Sequence, residues 1–248
     1  MAISISFIFA LFACTAPASS YFNGSDLILA EAILANDVAA VRNSAKGVEL
    51  SSPRGQDMTF LFYSMTCDKE MSLKELIRLG ADPRVAVPGL GSPLGTAVRS
   101  SNTKWLRFML DAGVSPNATD ASGESLIWGA IDASNLENLK LLKQRGADLN
   151  APDALDARPM YKALAARKFD FVEYLISVGA DVNFSTVNGV TMANAVERQI
   201  KRASPGTPLE LRLSHIKQLL IKSGIKFPAD SIEAVRANRK KRGGRVVE

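Results

Sequence analysis

Residues 146–150 read Gly-Ala-Asp-Leu-Asn, and residues 179–183 read Gly-Ala-Asp-Val-Asn. The leading glycine of this pentapeptide belongs to a series in which each glycine follows the previous one by 33 residues: Gly47, Gly80, Gly113, Gly146 and Gly179. A fixed period of this length is the signature of a stacked repeat protein. The sequence therefore predicts an all-α solenoid, in which helix pairs stack because one pair cannot bury its apolar face alone.

The same period aligns the start of each repeat. The opening tetrapeptides are Thr59-Phe60-Leu61-Phe62, Ser92-Pro93-Leu94-Gly95, Ser125-Leu126-Ile127-Trp128, Arg158-Pro159-Met160-Tyr161 and Thr191-Met192-Ala193-Asn194. A Thr or Ser before an apolar run caps a helix, because its hydroxyl accepts a hydrogen bond from an otherwise unpaired N–H group. A glycine after the second helix can take the left-handed conformation that ends it. Each repeat is thus predicted to be a helix-turn-helix.

These openings and endings together resemble the ankyrin repeat family, whose repeats open with Thr-Pro-Leu-His and end with Gly-Ala-Asp-Val-Asn. The resemblance covers roughly residues 25–227 and implies about six stacked repeats with short β-turn fingers. The predicted repeats are an N-terminal cap at 25–51, then 52–83, 84–116, 117–149, 150–182, and 183–227 with a 12-residue insertion between its helices. Residues 228–248 are predicted to form a short helix and a basic tail.

The first residues suggest export. Residues 2–13 are apolar or small, too few to span a bilayer but suited to the core of an export signal. The tetrapeptide Leu11-Phe12-Ala13-Cys14 resembles a bacterial lipobox. We therefore predict an export signal within residues 1–22, cleaved before a lipidated Cys14 that anchors the chain to a membrane, or alternatively after Ala18. The alternative interpretation is an apolar segment packed under the first repeat.

The cysteine count fits the lipoprotein interpretation. The chain has two cysteines. With Cys14 lipidated, Cys67 has no partner, so the sequence predicts a small packing residue there and no disulfide.

The net charge of +5 comes from the C-terminus, where Arg236 to Arg245 hold six Lys or Arg and no acid. The favoured interpretation is a solvated, disordered terminus, and the alternative is a phosphate contact. No aromatic residue is interleaved to stack on bases, so nucleic acid is an unlikely partner.

Catalytic motifs are missing from the pattern. His215 is the single histidine, and no second His or paired Cys accompanies it to bind zinc. No nucleophile-elbow sequence is present. We expect no enzymatic activity and no cofactor.

The resemblance places partners on a concave face made by the first helices and the turn tips. Aromatic residues stand at or beside the opening histidine position of several repeats, and Asp156 replaces a glycine of the family pattern. The predicted partner-binding residues are Phe62, Tyr63, Thr96, Trp128, Tyr161, Lys162, Asn194 and Asp156. The alternative is that the aromatic side chains fill space between repeats.

The predicted function is a monomeric, non-enzymatic protein-binding scaffold in the periplasm of a bacterial envelope. One role within this class is an immunity-type protein that blocks a toxin delivered to the periplasm. Two alternatives stay open: a cytoplasmic regulator that binds protein or nucleic acid through the repeat face and the basic tail, and an envelope protein that supports oxidative-stress resistance.

Overall fold

The computed structural model describes residues 14–247, so the apolar run at 2–13 lies outside the described residues. Within this range the chain has thirteen α-helices and two short 3-10 helices, at Ala18–Ser20 and Gly55–Asp57. The chain divides into two compact bodies, which we call the N-terminal body, up to Gly146, and the C-terminal body, from Ala147.

The N-terminal body consists of four helix pairs. Its helices are α1 (Gly24–Ala35), α2 (Val38–Ser44), α3 (Phe60–Thr66), α4 (Glu70–Arg78), α5 (Pro93–Arg99), α6 (Lys104–Asp111), α7 (Leu126–Asp132) and α8 (Leu136–Gln144). First helices pack on first helices, as α1, α3, α5 and α7 do in succession, and α2, α4 and α6 pack likewise as second helices. This stacking buries the apolar face of each pair.

The C-terminal body continues the pattern with two helix pairs and a closing helix. Its helices are α9 (Pro159–Ala165), α10 (Phe169–Ser177), α11 (Met192–Arg202), α12 (Pro208–Lys222) and α13 (Ile232–Lys241). Within it α9 packs on α11, and α10 packs on α12. The inserted residues lengthen both helices of the last pair, so that α11 has 11 residues and α12 has 15.

The capping predicted from the openings is present. Thr59, Ser92, Ser125 and Thr191 each accept a hydrogen bond from the backbone N–H group three residues later, at 3.1 to 3.4 Å. The periodic glycines all have positive φ, as at Gly146, where φ is 87°. Short fingers follow, marked by isolated β-bridges such as that between Thr119 and Ser125. The predicted all-α solenoid of helix-turn-helix repeats is confirmed.

The residues after Cys14 pack on the N-terminal body. Phe22 is 2% exposed, and its ring stacks on that of Phe60 with 4.9 Å between centroids. The carbonyl of Tyr21 accepts a hydrogen bond from the N–H of Gly55 at 3.0 Å. The segment before α1 is therefore part of the folded core.

A disulfide joins Cys14 to Cys67, with 5.0 Å between the Cα atoms. The prediction that Cys67 has no partner is therefore wrong. A sulfur in a disulfide carries no lipid, so this bond and the predicted lipidation of Cys14 exclude each other, and the lipid anchor stays a prediction. Cleavage after Ala18 would remove Cys14 and this bond with it, and that cleavage also stays a prediction.

The basic C-terminus is ordered against the C-terminal body. The Arg236 Nε–H donates to the carbonyl of Asn188 at 3.0 Å, and the Val247 N–H donates to the carbonyl of Val187 at 3.2 Å. The prediction of a disordered terminus is wrong, because Arg236 and Val247 donate to carbonyl groups of the last finger, although α13 contains no buried residue.

Candidate functional site

Two predicted partner-binding residues lie in the core. Phe62 is 4% exposed and Tyr63 is fully buried. The Tyr63 hydroxyl has no hydrogen-bond partner among residues 14–247, and burial, with a smaller contribution from Tyr21, raises its pKa to about 12. The prediction that Phe62 and Tyr63 contact a partner is wrong, because Tyr21 and Phe22 cover this position: their rings lie 6.1 and 5.1 Å from that of Tyr63.

The other two predicted partner-binding residues of the N-terminal body, Thr96 and Trp128, lie at its surface. Thr96 is exposed on α5, and its hydroxyl donates to the carbonyl of Leu90 at 3.3 Å. Trp128 is half-buried on α7, which Ser125 caps. Both side chains therefore remain candidates for contact with a partner.

An ion-pair network lies on the same helices. Arg99, at the end of α5, donates to the carboxylates of Asp120 and Glu124 at 2.9 and 2.8 Å. Burial raises the pKa of Asp120, but hydrogen bonds from Ser122 and Arg99 outweigh it and leave that pKa below its ordinary value. The charge of Arg99 is thus compensated within the fold.

In the C-terminal body two predicted partner-binding residues, Asp156 and Asn194, bond to other residues of the same chain. Asp156 has φ 56°, at a finger position where the repeats before and after carry Gly123 and Gly189. Its carboxylate pairs with Arg239 of α13. Asn194 completes the cap of α11 by accepting from the Thr191 N–H at 3.0 Å, and its amide donates to the carbonyl of Asp230. Asp156 and Asn194 therefore hold the C-terminal segment in place.

Tyr161 and Lys162 lie half-buried on α9. Tyr161 lines a surface cleft of about 250 Å³. We call it the arginine cleft; its defining side chains are Tyr161, Arg167, Arg198, Gln199 and Arg202.

The helices explain how these side chains meet. Arg198 and Arg202 are four residues apart, so they lie on one face of α11. Arg167 has φ 57° in the connection between α9 and α10. The Gln199 amide donates to the carbonyl of Leu164 at 3.2 Å and joins α11 to α9, while its Oε1 is buried without a hydrogen-bond partner.

The sequence pattern did not single out the cationic residues of the cleft. Two sequence features could have indicated them: the four-residue spacing of Arg198 and Arg202, and the insertion that lengthens α11. The predicted partner-binding residues of this body therefore include Lys162 but not Arg167, Arg198 or Arg202, because a charged side chain is usually solvated at the surface.

Within residues 14–247 no group of three His, Cys, Asp or Glu side chains is placed to hold a metal ion. His215 is exposed, with its Nε2 4.0 Å from a carboxylate oxygen of Glu173. Over the same range no helix has the length and apolarity needed to cross a membrane.

Part of the chain matches a known protein family. The family model described as ankyrin repeats, in three copies, matches residues 94–186. The chain contains ankyrin repeats. They coincide with the repeats that the glycine period defines, from α5 to the finger before α11.

Similar proteins include Protein PhlB of Serratia liquefaciens, which is 31% identical over 103 residues, or 41% of this chain. The match spans 45% of the length of that relative. The ankyrin repeat domain of Bcl-3, a member of the IkappaB protein family, superposes with a TM-score of 0.64 at 20% identity and covers 85% of this chain and 92% of its own.

An ankyrin repeat domain from Acinetobacter baumannii AYE has a TM-score of 0.57 at 19% identity, with 80% of this chain and 98% of that chain covered. At these identities the two solved structures establish the fold alone. The ankyrin repeat fold is a protein-interaction fold.

Proposed function

We propose that this protein is a non-enzymatic scaffold that binds another protein through the first helices and fingers of its ankyrin repeats. The observation that carries the proposal is that Trp128 and Tyr161, at the same position of successive repeats, remain partly exposed on first helices. Trp and Tyr are the residues most often found as energetic anchors of protein interfaces. In the core they would be fully covered, as Tyr63 is.

A substitution experiment tests this proposal. The chain with Trp128→Ala and Tyr161→Ala, immobilised on a resin, should lose at least about tenfold of the partner that the natural chain retains from an envelope extract. Trp105→Ala is the matched control, because Trp105 is also half-buried but lies on the second helix α6. Equal retention by all three folded chains would refute the proposal.

The proposed location is the bacterial periplasm. The apolar residues 2–13 support export, and the bond between Cys14 and Cys67 supports an oxidising compartment, since disulfides are rare in the cytosol. Alkylation of free thiols before cell fractionation tests this. Export predicts a periplasmic chain with both cysteines protected, whereas a cytosolic chain with two alkylated cysteines would contradict it.

Within the periplasm we propose an immunity-type role, in which the repeats bind and block a toxin. Repeat proteins of this type characteristically offer extended binding surfaces, as such a role requires. The test is survival of cells that express a toxin encoded beside this gene, with and without the protein. Survival that does not depend on the protein would contradict the role.

The regulator that binds nucleic acid receives less support. Arg236 and Arg239 of the basic segment bond to carbonyl groups of the C-terminal body, at 3.0 and 2.8 Å. Guanidinium groups held in this way are not free to follow a phosphate backbone.

A further inference from the structure

The arginine cleft concentrates positive charge without internal compensation. Three guanidinium groups line it, from Arg167, Arg198 and Arg202, and no Asp or Glu is among its lining residues. None of the three forms an ion pair with a residue in the range 14–247. Like charges held this close repel one another, so the arrangement is stabilised when an anion enters.

The N-terminal body provides an internal comparison. Arg99 occupies the same repeat position as Arg198, three repeats earlier, and it pairs there with Asp120 and Glu124. Asp120 and Glu124 belong to the finger of the repeat that follows Arg99, whereas Arg198 lies in the last helix-pair repeat, and within residues 14–247 no equivalent finger follows it. The same side chain is thus neutralised within the fold in one repeat and left available in the other.

The insertion in the last repeat builds part of the cleft. Helix α11 has 11 residues, whereas α9 beside it has 7. Arg202 is the last residue of α11, on the turn that this extension adds. Ala203, which follows it, and Leu209, in the first turn of α12, also line the cleft. The cleft is therefore a local departure from the regular repeat.

The polar groups of the cleft favour a peptide. Guanidinium groups match carboxylates with two parallel hydrogen bonds. The ring of Tyr161 and the side chains of Ala165 and Leu209 supply apolar surface beside the charges.

We propose that the arginine cleft binds an acidic segment of the partner protein, with two or more Asp or Glu carboxylates held by Arg167, Arg198 and Arg202. This proposal rests on the proposed function as a protein-binding scaffold and names the chemistry of the segment bound. The carboxylates neutralise the guanidinium groups, and the backbone of the segment lies along the cleft between α9 and α11.

The test measures binding of end-blocked tetraglutamate to the purified full chain by calorimetry, with tetraglutamine and inorganic phosphate as comparison probes. The double variant Arg198→Gln and Arg202→Gln should bind tetraglutamate at least about tenfold more weakly. The control Lys201→Gln removes one positive charge from the same helix, outside the cleft, and should keep the affinity within about twofold.

Two results would overturn the proposal: equal affinity of the double variant and the control, or phosphate bound as tightly as tetraglutamate. The second result would assign the cleft to a free anion. All three substituted residues are exposed, and circular dichroism verifies that the variants remain folded.

Failure here is separable from failure of the proposed function, because the peptide assay contains no partner protein. If tetraglutamate does not bind while Trp128→Ala and Tyr161→Ala still abolish retention of the partner, only the assignment of the cleft is refuted. If tetraglutamate binds and those substitutions leave retention of the partner unchanged, the proposed role of the surface around Trp128 is refuted instead.

Discussion

Reduction of the bond between Cys14 and Cys67 should strongly destabilise the N-terminal body. The two cysteines are 53 residues apart in sequence, and the bond closes that stretch into a loop in the unfolded chain. The loss of chain entropy for a loop of this length corresponds to about 4 kcal/mol of unfolding free energy. The bond also holds in place the segment that carries Phe22, which stacks on Phe60 in the core.

Tryptophan fluorescence isolates this effect. The chain has two tryptophans, Trp105 and Trp128, and both lie in the N-terminal body. In urea unfolding followed by fluorescence, the free energy of unfolding should therefore fall by about 4 kcal/mol when a phosphine reductant is added. The variant Cys14→Ser with Cys67→Ser should match the reduced chain and be insensitive to the reductant.

The reasoning would be refuted by two free thiols in the chain purified without reductant. It would also be refuted by a change below about 1 kcal/mol after a bond verified by mass spectrometry is reduced.

Three further predictions concern stability. Tyr63→Phe should raise the unfolding free energy by about 1 kcal/mol in the same urea assay, because it removes a buried hydroxyl without a partner, and a loss of stability would contradict this. The pKa of Asp120 is lowered in the folded state, so its carboxylate stabilises the fold above the unfolded pKa, near 4, and this contribution is lost as pH falls below it. Asp120→Asn should thus lower the urea midpoint at pH 7 and flatten its decline below about pH 5, and parallel pH profiles would argue against this. Gly189→Ala would place a Cβ 2.7 Å from Cγ of Arg236 and strain a φ of 77°, so amide exchange in α13 should accelerate about tenfold; unchanged protection would show that α13 is held elsewhere.

Local chemistry made the repeat fold predictable. A left-handed glycine such as Gly146 and a capping hydroxyl such as that of Thr59 act within a few residues, so their spacing alone defines each helix pair. The same spacing identified the positions of Trp128 and Tyr161, which the structure leaves partly exposed on first helices.

Long-range contacts were beyond the sequence pattern. Phe62 and Tyr63 stand at or beside an opening position, yet they are buried because Tyr21 and Phe22, about 40 residues earlier in the chain, cover them. The partner of Asp156 is Arg239, which lies 83 residues later. Nothing in a local pattern links residues so far apart.

In-cell photo-cross-linking tests the central claim, that the first helices of the repeats bind another protein, most directly. A photoreactive phenylalanine analogue is placed at Trp128, at Tyr161, or at the control position Trp105 on α6. The account predicts one discrete adduct with the same partner protein at 128 and at 161, and none at 105. No adduct at the two first-helix positions, or the same adduct at all three, would contradict it.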